Sequence, residues 1–370
     1  ETAVSLLEAL EKSKILKSDQ LAVAQEAAAK AADARALARI LVQKELLNRW
    51  QAGQLLAGRT SFLWGKYRLV DLLGRGGMGS VFLAWHTMMN RLVALKVISK
   101  ELGSDNTALE RFFTEARAVA ALDHPNIVHA YDVANEGERY YLVMEYVEGQ
   151  DLQRMVETQG PLDFVLAADY MRQAAEGLAH AHSKGMIHCD IKPANLLVNA
   201  QGVVKILDMG MARAVGRKAQ NEPAEGTPAA DQSILGTVDY MPPEHALGID
   251  KLDRRSDIYS LGCTLYFTLT GRPPFPEGTL AERIIKHQTQ EPKGIAESRP
   301  DTPPDLIRIC GKMMAKEPED RFPTADELAQ ILAEWRPSMA RILRAAPLEE
   351  GEEIEAEFVG EVEAAKAEPA

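Results

Sequence analysis

Between His188 and Asn195 the chain sets an acid, an amine and a carboxamide close together: Asp190, Lys192 and Asn195. The apolar run Leu196-Leu197-Val198 follows at once, and such runs read as buried strands. The polar group is therefore expected on a loop braced by a hairpin, where rigid folds carry chemistry. A second strand-like run, Val203-Val204-Lys205-Ile206-Leu207, ends in Asp208-Met209-Gly210. Two acids and an amide at neighbouring strand ends suit a hard cation, which takes oxygen ligands and shares them with substrate phosphates.

The elements upstream can be read for how they serve that loop. Tyr67–Val70, Val81–Ala84 and Leu92–Ile98 read as three strands of a meander. The first two flank Gly74-Arg75-Gly76-Gly77-Met78-Gly79. Glycine lets a backbone approach a phosphate and take positive φ. Because this Gly-x-Gly-x-x-Gly lies between two strands, it differs from a dinucleotide-binding turn, which opens a helix; a plain tight hairpin is the alternative. Lys96 stands in the middle of an apolar strand, and buried lysine calls for a partner unless its ammonium snorkels to the surface. From Thr107 to Leu122 an amphipathic helix turns Leu109, Phe112, Phe113, Ala116 and Val119 inward. Glu115 shares that side and could meet Lys96; a solvated surface glutamate is the alternative.

Ile127-Val128 and Tyr140–Met144 read as two more strands, and Glu145–Gly149 as a connector. After Asp151 the pattern turns helical, with a stripe of Leu166, Tyr170, Ala174, Leu178 and Ala181 that stops at Gly185. Residues 211 to 236 read as a long polar loop, of the kind that is functional or mobile. Ser256 is expected to cap a buried helix from Asp257 to Thr270, with Asp257 suiting the helix dipole. Helices are expected from about Pro304 to Ala315 and from Ala325 to Trp335, the last opened by a Thr324–Glu327 capping box.

Residues 1 to about 60 are rich in helix formers, with Leu6, Leu7, Leu10, Leu37, Ile40, Leu41, Leu46 and Leu47 at helical spacing. They read as two or three helices, with Ser18 and Asp19 as a cap. The module either packs on its neighbour or binds a partner. Beyond Pro347 nine glutamates face the single Lys366, the composition of a disordered acidic tail.

Composition fits a soluble globular protein: 370 residues, 46% hydrophobic and 26% charged. A net charge of −12 argues against nonspecific binding to nucleic acid or anionic membranes. Cys189, Cys263 and Cys310 lie far apart in no metal-ligand spacing, which points to reduced thiols and a cytoplasmic setting. No run approaches the length of a membrane span and no signal peptide is visible. The chain begins at Glu1 rather than Met, as a piece of a longer protein would, and membrane tethering through a segment outside it is the alternative to a freely cytoplasmic setting.

Taken together, the glycine loop, Lys96, Glu115, the Asp190–Asn195 loop, Asp208 and the Pro242-Pro243-Glu244 stretch resemble the eukaryotic-like serine/threonine protein kinases, from Tyr67 to about Trp335. The Gly-Gly-Met-Gly form of the loop resembles bacterial members. The resemblance implies a bilobal α+β fold: a five-stranded antiparallel N-lobe with one helix (67–144) and a mainly helical C-lobe (150–335). Residues 1–65 would be a helical extension and 345–370 the tail.

It also implies ATP and Mg²⁺ (or Mn²⁺) as cofactors and protein Ser/Thr hydroxyls as substrates. By this resemblance Leu73, Gly74, Arg75, Gly76, Gly77, Met78, Gly79, Ser80, Val81, Ala94 and Leu197 enclose the nucleotide. Glu145 and Val147 offer backbone groups to adenine, and Asp151 reaches the ribose. Lys96, fixed by Glu115, holds phosphates; Asn195 and Asp208 ligate the metal; Asp190 and Lys192 serve the transfer. Thr227, Ser233 and Thr237 fall in the activation and substrate segment, and Glu244 pairs with Arg321.

Cys189 departs from the family's usual arginine, which contacts a phosphorylated activation loop. A thiol has neither charge nor forked donors, so activity is expected to depend less on loop phosphorylation. Met209 stands where phenylalanine is usual, an apolar exchange. A scaffold that binds nucleotide or partners without transfer is the alternative function; it would have no need to keep all of Lys96, Glu115, Asp190, Asn195 and Asp208.

Overall fold

The computed structural model describes residues 2–76, 79–98, 106–209, 213–214, 238–248 and 252–335. By compactness the chain divides into Glu1–Ala333 and a short remainder, Glu334–Ala370, nearly all of it outside the described residues.

Four helices open the chain, not two or three: α1 (Ala3–Ser13), α2 (Ser18–Lys30), α3 (Ala34–Gln43) and α4 (Arg49–Leu56). Caps that satisfy free amide groups set the breaks. Asp33 accepts from the Ala36 amide at 2.7 Å and Asn48 from that of Gln51 at 2.7 Å. Ser18 does not cap α2. The N-cap is Lys17, whose amide donates to Gln20 Oε1 at 3.0 Å.

A six-stranded sheet follows, in the order β1-β2-β3-β4-β6-β5. Its strands are β1 (Leu63–Trp64), β2 (Tyr67–Gly76), β3 (Gly79–His86), β4 (Arg91–Ile98), β5 (Ala130–Glu136) and β6 (Arg139–Glu145). Four of the five expected strands are present as β2, β3, β4 and β6; β1 and β5 were not expected, and β5 begins only at Ala130. Gly65 at φ 52° turns Leu63–Trp64 back onto Tyr67 and Arg68, a conformation costly for a residue with a Cβ. Ile127 and Val128 are not a strand: both are buried, and Ile127 makes one bridge to Ile206. The expected helix of this lobe runs over Asn106–Ala120.

Alternation assigns the two faces of the sheet. Val93, Leu95 and Val97 of β4 face outward and join one apolar cluster with Tyr67, Leu69, Ala84, Tyr141 and the inner residues of α1–α4. Leu37 and Leu41 there are fully buried, each stabilising by about 1.5–3 kcal/mol. The opposite face of β4 carries Ala94 and Lys96.

The remainder is mainly helical. Helix Phe164–Ser183 buries Tyr170, Ala174, Leu178 and Ala181, whereas Leu166 is exposed. Helix Arg254–Thr270 is buried on every side from Ser256 to Leu269, as a central strut must be. It begins three residues earlier than expected, because Asp253 is its cap and accepts from the Arg255 amide at 2.7 Å. Ser256 instead donates to Glu244 at 2.6 Å. Helices Pro304–Met313 and Ala325–Glu334 complete this region, the latter capped by Thr324.

Candidate active site

Helix Phe164–Ser183 ends at Gly185, φ 73°, and the two-residue strand β8 (Met186–Ile187) leads into His188. The loop is held from below by Asp257. Its carboxylate accepts from the amides of His188 (2.8 Å) and Cys189 (2.9 Å) and from His182 Nε2 (2.8 Å). Burial works against charge on Asp257, but the His182 hydrogen bond, neighbouring histidines and the loop amide outweigh it and hold the carboxyl below its ordinary range. So Asp257 faces the catalytic loop rather than acting only on its own helix dipole. The tether keeps Cys189 at φ 65°, a region that side chains with a Cβ rarely enter.

His188 ties this loop to the next one. Its Nδ1 accepts from the Asp190 amide at 3.2 Å, so its Nε2 carries the proton and donates to the Leu207 carbonyl at 2.8 Å. The Leu207 amide in turn donates to the Asn195 carbonyl at 2.8 Å. Both backbone groups of Leu207 are thereby fixed by the Asp190–Asn195 stretch, and Asp208 follows at φ 55°.

The polar groups converge on this frame. Asp190 lies 2.9 Å from the Lys192 ammonium. Asn195, in a 3₁₀ turn over Pro193–Asn195, donates from Nδ2 to the Asp190 carbonyl (2.8 Å) and carboxylate (3.1 Å). That orientation leaves its Oδ1 as the atom able to ligate a cation. Strand β9 (Leu196–Asn199) pairs with β10 (Val204–Ile206), the braced hairpin expected from the two apolar runs. Across the cleft, Lys96 reaches Asp208 Oδ1 at 2.6 Å. The protein packed around Asp208 disfavours its charge; Lys96, His188 and Lys192 more than offset this, and the carboxyl titrates below its usual value.

The roof is a hairpin of β2 and β3, with Gly76 opposite Gly79, Arg75 opposite Ser80 and Gly74 opposite Val81. Val81 also sits opposite Lys96, and Ala94 opposite Met144, so Val81, Ala94 and Lys96 share the cleft face. Leu73 is a bulge residue and largely exposed. At the back edge the Glu145 carboxylate is held by Lys205 at 2.8 Å and the His129 amide at 3.2 Å. Strand β7 (Gly149–Asp151) pairs with β9, which sets Asp151 opposite Leu197; Val147 lies in the intervening connector. Asp151 caps the next helix through the Arg154 amide at 2.9 Å.

Glu244 and Arg321 form a buried fork, 2.7 and 2.8 Å between paired atoms. Arg321 further donates to the carbonyls of Ala315, Arg255 and Lys316. Met209 is buried. Gly77, Met78, Thr227, Ser233 and Thr237 lie outside the described residues, as does the side chain of Glu115, whose backbone belongs to helix Asn106–Ala120. The positioning roles of His188 and His182 were not read from the sequence. The one available signal was their spacing before Asp190, which says nothing about a carboxylate on a distant helix.

Comparison with known proteins agrees with this geometry. Residues 67–332 match the protein kinase domain family model. The chain is 39% identical over 277 residues to the probable serine/threonine-protein kinase PknB of Bifidobacterium longum, covering 72% of this chain and 39% of that protein. It is 37% identical over 264 residues to serine/threonine-protein kinase PrkC of Bacillus subtilis (71% and 39%). It is 38% identical over 293 residues to PknB of Mycobacterium tuberculosis (78% and 45%). The chain thus spans under half the length of these relatives. Among solved structures, the Mycobacterium tuberculosis PknI kinase domain superposes with a TM-score of 0.56 at 26% identity, over 74% of this chain and 97% of that one. With the family model covering most of its length and the cleft built as described, this chain belongs to the protein kinase family, and the relatives named above are bacterial serine/threonine-protein kinases.

Proposed function

We propose that this chain transfers the γ-phosphate of ATP to serine and threonine hydroxyls of proteins, its own included. The observation that carries the reading is the 2.6 Å contact between Lys96 of the sheet and Asp208 of the segment that follows β10. Phosphoryl transfer needs in-line positioning and charge neutralisation more than covalent chemistry. Lys96 supplies a fixed positive charge for phosphate oxygens. Asp208, held ionised, and Asn195 through Oδ1 offer the hard oxygen donors that Mg²⁺ or Mn²⁺ prefers. Such a cation, when bound, supplies charge neutralisation at the phosphates. Asp190 orients the incoming hydroxyl and accepts its proton, while Lys192 beside it steadies the transferred group. The similarity to bacterial serine/threonine-protein kinases supports serine and threonine as acceptors.

The edge of the cleft at Glu145 and Val147 is proposed for adenine, between Val81 and Ala94 above and Leu197 below. Thr227, Ser233 and Thr237 are proposed as activation and substrate-segment residues. A cytoplasmic setting is part of the same proposal, supported by the ATP that this reading requires. Among the described residues no helix is long and apolar enough to cross a membrane.

The test is transfer of labelled γ-phosphate to a generic protein acceptor by wild type and Asp190→Asn. Loss of a general base costs about 10²–10⁴ in rate. Incorporation by neither protein above a no-protein blank would mean a nucleotide-binding scaffold without transfer, and equal incorporation above it would remove the role assigned to Asp190.

A further inference from the structure

Helix α4 lies outside the residues that match the kinase family, yet it reaches the strand that leads into the glycine hairpin. In the β2–β3 ladder Leu69 pairs with Ala84 and Asp71 with Leu83, so Val70 is skipped as a bulge. A bulge leaves ladder groups without their regular partner. The Val70 carbonyl accepts from Asn48 Nδ2 at 2.7 Å, across 22 residues of sequence. The same Asn48 caps α4, accepting from the Gln51 amide, while its own amide donates to Gln51 Oε1. Two residues on, the Trp50 ring packs on Phe62 and Phe82, each 5.8 Å away between centroids. Phe82 pairs with Leu72 and follows Val81, which faces the cleft. Helix α4 therefore holds both strands of the hairpin, one by a hydrogen bond at the bulge and the other by an aromatic contact. Gly74 lies only four residues beyond Val70.

We infer that Asn48 is a positioning residue for nucleotide binding: through Val70 it sets the height of the glycine hairpin over the cleft, so the helical module is part of the nucleotide site. The inference rests on the ATP reading of that cleft. It also requires the bond to Val70, rather than the capping of α4, to carry the effect. The two roles use different atoms. The cap needs an acceptor at Oδ1, and the tie to the sheet needs a donor at Nδ2.

Asn48→Asp keeps the acceptor, and with it the cap, but removes the donor. Asn48→Ala removes both. Two measurements separate the possibilities in the full chain: the Kd of a fluorescent ADP analogue with Mg²⁺, and amide hydrogen exchange over residues 67–86. Both substitutions are expected to weaken nucleotide binding by about fivefold, the equivalent of one ordinary hydrogen bond. Both should also speed exchange in β2. Asn48→Asp should melt close to wild type and Asn48→Ala lower. If Asn48→Asp binds nucleotide and exchanges like wild type while Asn48→Ala does neither, Asn48 is only a helix cap and the inference is overturned. A wild-type chain that binds no adenine nucleotide would sink the kinase reading instead, and the exchange data would still report whether Asn48 restrains the hairpin.

Discussion

Replacing Asp257 by asparagine changes one atom in a fully buried polar group. The native carboxylate offers acceptors only, and three donors converge on it: two loop amides and His182. Asparagine keeps one oxygen. If that oxygen stays with His188 and His182, the new NH₂ faces the Cys189 amide, donor against donor; the flipped rotamer strands the other two. At best one bond to a charged acceptor is lost, about 1.5–3 kcal/mol, and one buried N–H is left unpaired, about 1–3 kcal/mol. The expected loss of stability is therefore about 2.5–6 kcal/mol.

Activity should fall further than stability alone requires. Cys189 is held at φ 65° by the bond that breaks, and such a backbone costs about 1–3 kcal/mol unless its surroundings enforce it. Once released, Cys189 relaxes and carries Asp190 with it. A shift of about 1 Å in a reacting group can cost about 10²-fold in rate. Urea denaturation followed by tryptophan fluorescence reads the first effect, and kcat at saturating ATP, measured well below the melting range, reads the second. The acid limb gives an independent check. Because the folded pKa of Asp257 is lowered, its contribution is present at neutral pH. That contribution is lost as pH falls below the ordinary carboxylate value of 3.8 and through the folded one. Asp257→Asn should lack that part of the acid slope. A variant that loses under about 1 kcal/mol and keeps its kcat would refute the claim that this carboxylate holds the loop.

Two further substitutions probe the base of the helical lobe. Arg321→Ala leaves the buried Glu244 charge without its fork and should cost about 3–5 kcal/mol by urea denaturation. Arg321→Lys should recover little, because a single ammonium cannot also reach the Ala315, Arg255 and Lys316 carbonyls; full recovery would contradict the fork argument. Burial, and next the Lys316 charge, push His287 down to about 4, while its Nδ1 is bonded to the Tyr259 hydroxyl at 2.9 Å. The folded chain then binds fewer protons than the unfolded one between about pH 6.5 and 4, so His287 contributes fully above that window and its contribution is lost as pH falls through it. By pH 5 the loss is about 2 kcal/mol. His287→Gln should flatten the fall in urea midpoint between pH 7.5 and 5, and identical slopes would count against the buried neutral ring.

What could be read from the chain alone was the chemistry, because phosphoryl transfer restricts residue types at short spacing. Asp190, Lys192 and Asn195 announce themselves within one turn of chain, and Lys96 is conspicuous as a cation in an apolar strand. Their supports are different in kind. Asp257 looks like an ordinary first-turn acid until the fold brings it to a loop 68 residues away. Ile127-Val128 resembles a strand by composition, yet it is a buried connector whose Val128 amide donates to the Ile206 carbonyl. The first helices were the least legible. Ala24 and Ala27 of α2 are buried, but small side chains in an Ala-rich helix announce no inner face. Only the tertiary arrangement shows that this module covers the outer face of the sheet, and that Asn48 hands one hydrogen bond through it to the strand entering the glycine hairpin. Short-range pattern therefore identifies the groups that react, while the residues that aim them are fixed by long-range contacts that local periodicity does not encode.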